Sequence, residues 1–411
     1  QNIPVIWGGY HPSILPRQTI NSPYVDIAVK GRGEETIVKL VDAICSGKPL
    51  EKINGIVFKE KGKTVETPDA EIKDINSTRP MDYSLIKDME RYIVKTHYAE
   101  RVIDYISSYG CPFNCGFCSE IKVHKRRWSG LKAERIVREI KQLIRSYKIN
   151  GIRFADSNFF VDKNRVKEFS EILLKEKINI KWGNVNGRTE QLVKFEDDLW
   201  GLMKRAGLSD LLIGAEAADQ KLLDFINKRA TIEDTIKLKK IAHRHNLTLF
   251  VSLMIGIPFN IKKNPDEATK KQLNGLLDLI ERLSEIDNRH YISIFIYTPF
   301  PGSPLYDVCL QNGVSEPQSL EEWSKINLNE TNLPWVSQKY VDIVDQLQGF
   351  VFLYTTFLYD NFKDSKFKPI HLLFRKSAEF RLRHRFFAFP IEYKVLQYFF
   401  KKYIDKKFGL N

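Results

Sequence analysis

Short apolar segments alternate with amphipathic stretches through the middle of the chain. Apolar runs of this length are typical of buried strands, and they occur at residues 102–108, 151–155, 180–185, 211–215, 249–255 and 292–297. Stretches with helical spacing of apolar positions, such as 133–147 and 166–175, separate them. This alternation predicts an α/β fold in which the six βα units form a partial TIM-type (β/α)6 barrel.

The first 48 residues predict a smaller α/β unit in front of the barrel. A short apolar strand ends at Gly8 and Gly9, a second strand is expected at 25–29, and residues 34–44 have helical spacing. These elements are typical of the C-terminal part of an open parallel sheet. They are too few to complete a doubly wound domain.

A hairpin and a linker are expected between that unit and the barrel. Residues 53–67 resemble a hairpin that turns at Gly62, and residues 69–85 contain Pro80 and little periodicity. The predicted division of the chain is therefore 1–48, 49–92, 93–320 for the barrel and 321–411 for a helical C-terminal region.

Polar or glycine-rich positions recur where the predicted barrel strands end. Barrels of this kind carry their chemistry beyond the C-terminal ends of the strands, so these positions predict a site there. The candidates are Cys111, Asp156, Arg188, Glu216, Gly256 and Pro258.

Composition places the chain among globular proteins. It has 411 residues, 43% hydrophobic and 28% charged, which excludes a disordered chain and indicates about two or three domains. No transmembrane helix and no secretion signal are predicted, so a cytoplasmic location is expected. The chain begins at Gln1 instead of Met, and we expect that upstream residues are missing.

Three of the five cysteines fall close together, and this spacing is the strongest chemical signal. Cys111, Cys115 and Cys118 are spaced four and three residues apart, whereas Cys45 and Cys309 stand alone. Three such thiolates can hold a [4Fe–4S] cluster and leave its fourth iron open. The alternatives are a zinc site with His124 as the nearest fourth ligand, or three structural thiols.

The CxxxCxxC pattern, with the aromatic Phe117 before its last cysteine, resembles the radical S-adenosylmethionine (SAM) superfamily. The resemblance implies that the three cysteines hold the cluster and that SAM chelates the open iron. It implies cleavage of SAM to a 5′-deoxyadenosyl radical and an external electron donor such as flavodoxin or ferredoxin. By position it assigns the SAM amino group to Asp156, the carboxylate to Arg188, the ribose to Glu216, and the adenine to the backbone near Gly256 and Pro258. We expect Arg188 and Glu216 to lie above the barrel mouth, away from the cysteines.

The N-terminal segment resembles the cobalamin (B12)-binding branch of that superfamily, which includes the anaerobic Mg-protoporphyrin IX monomethyl ester cyclase and the hopanoid and phosphonate methylases. Gly8 and Gly9 would then border the nucleotide tail of cobalamin in a Rossmann-like domain. The first half of that domain is absent, and none of the eight histidines has Asp two positions earlier. Either the sequence is truncated upstream or the protein does not bind cobalamin in the usual way.

The branch implies methylation or another C–H transformation, such as cyclisation, of a small-molecule or lipid substrate. The alternatives are a radical SAM enzyme without cobalamin and a non-catalytic iron–sulfur or zinc module. The sequence has no recognisable signature for the substrate or for the catalytic residues of this chain.

The C-terminal region carries most of the net charge of +13. Residues 361–411 hold 13 Lys or Arg against 4 Asp or Glu, a balance of +9. Phe374, Ala378, Leu382 and Phe386 are four residues apart, which predicts an amphipathic helix that caps the barrel. The alternative role of this region is peripheral contact with an anionic membrane. Nucleic acid is not expected, because no recognition motif accompanies the charge.

Overall fold

The computed structural model describes residues 3–326, 333–356, 358–359 and 367–408. Its strands are β1 (Ile6–Trp7), β2 (Ile27–Val29), β3 (Ile56–Glu60), β4 (Lys63–Glu66), β5 (Val102–Tyr105), β6 (Ser108–Tyr109), β7 (Ser129–Gly130), β8 (Gly151–Phe154), β9 (Lys181–Gly183), β10 (Val185–Gly187), β11 (Asp210–Glu216), β12 (Thr248–Ile255) and β13 (His290–Ile296). Its α-helices are α1 (Tyr10–Ile14), α2 (Pro16–Asn21), α3 (Glu34–Ser46), α4 (Glu120–His124), α5 (Ala133–Tyr147), α6 (Lys163–Lys175), α7 (Thr189–Leu192), α8 (Asp197–Arg205), α9 (Gln220–Phe225), α10 (Ile232–Arg244), α11 (Pro265–Ile286), α12 (Pro304–Gln311), α13 (Leu320–Trp323), α14 (Gln338–Gln346), α15 (Phe352–Thr355), α16 (Lys368–His384) and α17 (Ile391–Phe408).

The N-terminal unit is a four-stranded sheet in the order β1-β2-β3-β4. β1 and β2 are parallel, as the sequence predicted, and β3 pairs antiparallel with β2, so that the β3–β4 hairpin completes the sheet. The expected boundary at residue 48 therefore lies inside one structural unit, which continues to the end of β4. The hairpin joins the sheet because it buries Ile56 and Phe58 with Ile27 and Leu40.

The barrel consists of two parallel sheets that are joined side by side. β5, β8 and β9 form the first, and β10, β11, β12 and β13 form the second. The single strand expected at 180–185 is instead broken into β9 and β10 at Asn184, which adopts φ +52°. Asn tolerates this left-handed conformation better than most residues. A bridge between Trp182 and Leu208 keeps the two sheets in contact.

Amphipathic helices cover the outside of the parallel strands. On α5 the buried side chains recur with helical spacing, at Ile136, Ile140 and Leu143, and the sequence predicted this helix with the same bounds. The barrel core is continuous with the packed faces of the C-terminal helices. The strands are therefore held so that their C-terminal ends open at one edge.

The C-terminal region is helical, as predicted, and rests on the barrel through α14, the π-helical turn Leu347–Val351 and α16. Ala378 and Leu382 of α16 are buried, whereas the helix ends at His384 and leaves Phe386 exposed. The expected apolar row is thus one residue too long. Residues 360–366 and 409–411 of the basic tail lie outside the described residues. None of the described helices combines the length and apolarity needed to cross a bilayer.

Candidate functional site

The three clustered cysteines lie on a loop between β6 and α4, beyond the end of the first barrel strand. Gly110 opens the loop with φ +79°, and a Cβ there would lie 2.0 Å from the Arg127 carbonyl oxygen, so a side chain does not fit. The Gly116 N–H donates to the Ile226 carbonyl at 2.7 Å, and the Gly116 carbonyl accepts from Leu305 at 2.8 Å. The loop is therefore fixed to segments that follow β11 and β13.

The cysteine side chains lie in an environment from which water is partly excluded. Cys115 is buried, and Cys111 and Cys118 are half-buried. Burial raises the pKa of Cys118 to about 11 and also raises the pKa of Cys111. Thiols of this kind are neutral alone, and a bound cation favours their thiolate form.

The donor set fits a cluster with three protein ligands. Among the described residues, no three His, Cys, Asp or Glu side chains are grouped as ligands of a single metal ion. The thiolates that hold a cubane bind different irons and need not converge on one point. His124, the candidate fourth ligand of a zinc site, is instead 3.4 Å from the Glu120 carboxylate and stacks on Tyr109.

Arg188 lies against the cysteine loop. Its Nη1 donates to the Cys115 Sγ at 2.6 Å, and its guanidinium covers the Phe113 ring at 4.1 Å. An ion pair with Glu190 and a hydrogen bond to the Lys228 carbonyl fix the same group. The expectation that Arg188 lies away from the cysteines is therefore wrong. Arg188 directly follows β10, and its long side chain reaches the loop at Cys115.

Glu216 ends β11 in a strained conformation and forms a buried ion pair. Its φ is +63°, at a bulge in the pairing of β11 with β12. The Lys228 Nζ donates to the Glu216 Oε1 at 2.9 Å, and both side chains are less than a tenth exposed. Lys228 also lies 5.8 Å from the centre of the Phe117 ring, within the cysteine motif. Backbone strain held by surrounding contacts is typical of functional positions.

Asp156 is fully buried and its carboxylate is already satisfied by the chain. It accepts hydrogen bonds from the Ser107 N–H at 2.7 Å, the Ser107 hydroxyl at 2.6 Å and the Ser108 hydroxyl at 2.6 Å. Burial raises the pKa of Asp156, and these hydrogen bonds act in the opposite direction. Its observed contacts tie β8 to the segment that leads into the cysteine loop. A contact of Asp156 with SAM stays a prediction.

The turn after β12 also has partners of its own. Gly256 has φ +78°, its N–H donates to the Gln272 Oε1 at 2.8 Å, and its carbonyl accepts from the Trp335 Nε1 at 2.8 Å. Pro258 is buried. Gln272 and Trp335 therefore set the shape of this turn, and a contact of Gly256 or Pro258 with adenine stays a prediction.

Gly8 and Gly9 join β1 to α1 at the exposed end of the N-terminal sheet. Gly9 has φ +106°, and a Cβ there would meet nothing within 4 Å. The next residue, Tyr10, packs edge-on against His124 of α4, with 6.3 Å between ring centres. The glycine turn thus lies next to the helix that follows the cysteine loop, and its contact with cobalamin stays a prediction.

The structure adds residues that the sequence patterns did not indicate. Lys228 and Glu190 carry no motif, and they join the site only through contacts with Glu216 and Arg188. Phe113 lies inside the cysteine motif but was not predicted to have a role, although an aromatic ring there can stack on a cation. The site combines three thiols with two fixed cations and their two acidic partners near the strand ends.

Comparisons with known proteins find relatives along most of this chain. An uncharacterized methyltransferase of Pyrococcus horikoshii is 31% identical over 319 residues, which cover 76% of this chain and 64% of that protein. The anaerobic magnesium-protoporphyrin IX monomethyl ester cyclase of Rubrivivax gelatinosus is 27% identical, over 74% of this chain and 53% of the cyclase. The chain thus spans just over half to just under two thirds of the length of these relatives.

A solved structure shares the fold along nearly the whole chain. The cobalamin-dependent SAM radical enzyme OxsB, with aqua-cobalamin and SAM bound, superposes with a TM-score of 0.64 at 17% identity, over 97% of this chain and 62% of OxsB. The model of the Radical SAM superfamily matches residues 105–271, which include the three cysteines, Arg188 and Glu216. The chain therefore contains a radical SAM domain at residues 105–271, and this domain includes the cysteine loop and most of the parallel strands of the barrel.

Proposed function

We propose that this chain is the radical SAM part of an enzyme that methylates, or otherwise transforms, an unactivated carbon of a small-molecule or lipid substrate. The observation that carries the proposal is the loop of Cys111, Cys115 and Cys118, fixed at the barrel edge with Arg188 on Cys115. A [4Fe–4S] cluster with one open iron, held by these thiolates, would supply the electron that cleaves SAM to a carbon radical.

The residues around the loop orient a cysteine, offer charged groups to a ligand and limit access of water. Arg188 donates to the Cys115 sulfur, which orients this side chain within the loop. Lys228 and Glu216 present one buried cation and one buried anion beside Phe117, and a zwitterionic, ribose-bearing ligand such as SAM has groups for both. The half-buried loop and the strand ends partly exclude water, which limits the side reactions of a radical.

A role for cobalamin is supported by the relatives. The OxsB structure contains aqua-cobalamin, and the fold likeness includes the N-terminal sheet because it covers 97% of this chain. In this chain the exposed turn of Gly8 and Gly9 lies beside α4, between the N-terminal sheet and the cysteine loop. We propose this junction as the place where cobalamin would meet the barrel, and an external one-electron donor such as flavodoxin or ferredoxin as the reductant.

Anaerobic reconstitution with iron and sulfide tests the proposal. The chain should hold about four irons, show the visible absorption of a [4Fe–4S] cluster, and cleave SAM to 5′-deoxyadenosine when it is reduced. Replacing any one of the three loop cysteines with Ala should abolish cleavage. Cys45→Ala and Cys309→Ala are matched controls and should leave the iron content and the cleavage rate unchanged.

Two results would contradict the proposal. One is a full cluster in the variant that lacks all three loop cysteines. The other is an intact cluster in the wild-type chain that never cleaves SAM, which would favour a non-catalytic iron–sulfur module. Equilibrium dialysis with hydroxocobalamin measures cobalamin binding and so distinguishes a cobalamin-dependent enzyme from a radical SAM enzyme without cobalamin.

A further inference from the structure

The two C-terminal helices expose apolar side chains on the side that faces away from the barrel. We call the following set the C-terminal apolar face: Ile370, Leu373, Phe380, Phe389, Ile391 and Tyr398. Each of these side chains is at least half exposed, and Phe389 is 78% exposed. Large apolar side chains that are exposed in numbers on one part of a folded protein are typical of an interaction site.

The positions follow the helical repeat, which makes them stripes on the two helices. On α16, Ile370, Leu373 and Phe380 are separated by three and seven residues, and on α17, Ile391 and Tyr398 are separated by seven. Other residues of the same two helices pack on the π-helical turn Leu347–Val351, where Phe374 contacts Phe350 and Tyr393 approaches Gly349. α17 is therefore apolar on two sides, of which the barrel covers one.

The loop between the helices holds its aromatic residue outward in a strained conformation. Phe389 has φ +51°, which is unusual for a bulky residue. The buried Arg381 guanidinium donates to the carbonyl oxygens of Ala388 at 3.0 Å and Phe389 at 2.8 Å. It also pairs with Glu392 at 2.7 Å. This clamp fixes the strained loop and the exposed ring, and such strain is typical of functional positions.

Basic residues accompany the apolar face. The described ion pairs of this region use Arg375, Arg381 and Arg385. Lys376, Arg383 and Lys394 are exposed among the apolar positions. A partner of this face must therefore be apolar and negatively charged at once.

We propose that the C-terminal apolar face binds the surface of an anionic lipid bilayer, with α16 and α17 lying in the plane of the headgroups. Apolar side chains that enter the acyl boundary, together with Lys and Arg at the headgroups, are how helices bind such a surface. The charge distinguishes this partner from a second copy of the chain, whose face would be equally basic and would repel it.

Vesicle flotation of the full chain tests the proposal. The chain should bind vesicles of phosphatidylcholine mixed with phosphatidylglycerol, and should bind phosphatidylcholine alone much more weakly. Phe389→Asn removes the ring, and Asn accepts the left-handed backbone, so the loop should keep its fold. We expect this variant to lose about tenfold in partitioning. Leu85→Asn, at an exposed apolar residue outside the C-terminal apolar face, is the control and should bind like the wild type.

Charge reversal tests the second half of the interaction. Lys376→Glu with Arg383→Glu should weaken binding to the anionic vesicles by more than about tenfold, because each basic residue near the surface contributes about fivefold. Lys237→Glu with Lys240→Glu, on exposed positions of α10, is the matched control. Circular dichroism verifies that each variant is folded.

Three outcomes would overturn the proposal: no binding of the wild-type chain to anionic vesicles, equal binding to neutral and anionic vesicles, or binding that Phe389→Asn does not change. Analytical ultracentrifugation covers the other occupant, since a dimer abolished by Phe389→Asn, without vesicle binding, would assign the face to a second copy. None of these measurements needs the cluster or SAM, so their outcome is independent of the proposed function.

Discussion

The buried pair of Glu216 and Lys228 makes a prediction that separates a structural role from a ligand-binding role. Glu216→Gln keeps the size and the strained backbone of the residue but removes its charge. It leaves the Lys228 ammonium buried, with the side chain only 6% exposed, and without its anion. Breaking a buried pair in this way costs about 3–5 kcal/mol. For a barrel of this size, that cost should lower the melting temperature by about 6–12 °C or more.

The double variant Glu216→Gln/Lys228→Met should recover most of that loss. Met fills a volume similar to that of Lys without a charge, and replacing both partners removes the unpaired ion. Thermal unfolding of the wild-type chain, of Glu216→Gln, of Lys228→Met and of the double variant, without cofactor and without oxygen, measures the coupling between the two residues. Additive losses in the double variant would refute the ion pair as the source of stability.

SAM affinity then distinguishes a ligand-binding role of Glu216 from a purely structural one. If Glu216 contacts the ribose, losing a charged hydrogen bond should weaken SAM binding by about tenfold or more in Glu216→Gln. The double variant should bind SAM as weakly as Glu216→Gln although its stability is restored. Isothermal titration of the reconstituted variants supplies these values. Normal SAM affinity in both variants would make Glu216 a structural residue only.

Further predictions concern Arg188, Asp156 and His290. Arg188→Met should preserve the iron content but lower the reduction potential of the cluster by about 50 mV, because the hydrogen bond to the Cys115 sulfur is lost; an electron paramagnetic resonance titration showing no shift would place Arg188 outside the cluster environment. Asp156→Ala leaves three buried donors from Ser107 and Ser108 without an acceptor, so thermal unfolding should show a loss of about 3 kcal/mol or more; a loss below about 1 kcal/mol would contradict this. Burial lowers the pKa of His290 to about 3, whereas its pKa in the unfolded chain is about 6.5. The neutral imidazole therefore contributes its full stability above pH 6.5. That contribution falls as the pH drops toward 3, by at most about 1.4 kcal/mol per pH unit. His290→Gln should flatten the slope of urea-unfolding stability between pH 6.5 and 5, and an unchanged slope would assign it to other groups.

The sequence by itself determined the local features of the molecule. The helical spacing of α5 and the apolar runs of the barrel strands predicted those elements, because burial on one face selects the residue period. The cysteine loop was equally readable, since the three candidate ligands of one cluster lie on a single short segment. Gly256 was indicated as a glycine at the end of a barrel strand, and the left-handed backbone found there favours glycine.

The tertiary structure decided which distant residues meet. Arg188 reaches Cys115 across 73 positions, and Lys228 reaches Glu216 through a bulge that re-aims the end of β11. The hairpin β3–β4 joins β2 because its apolar face needs a partner, and no local pattern states which strand that is. Side-chain partners, strand order and the break at Asn184 depend on how loops close over long separations, and the cost of closing a loop is not written in the hydrophobic pattern of any one segment.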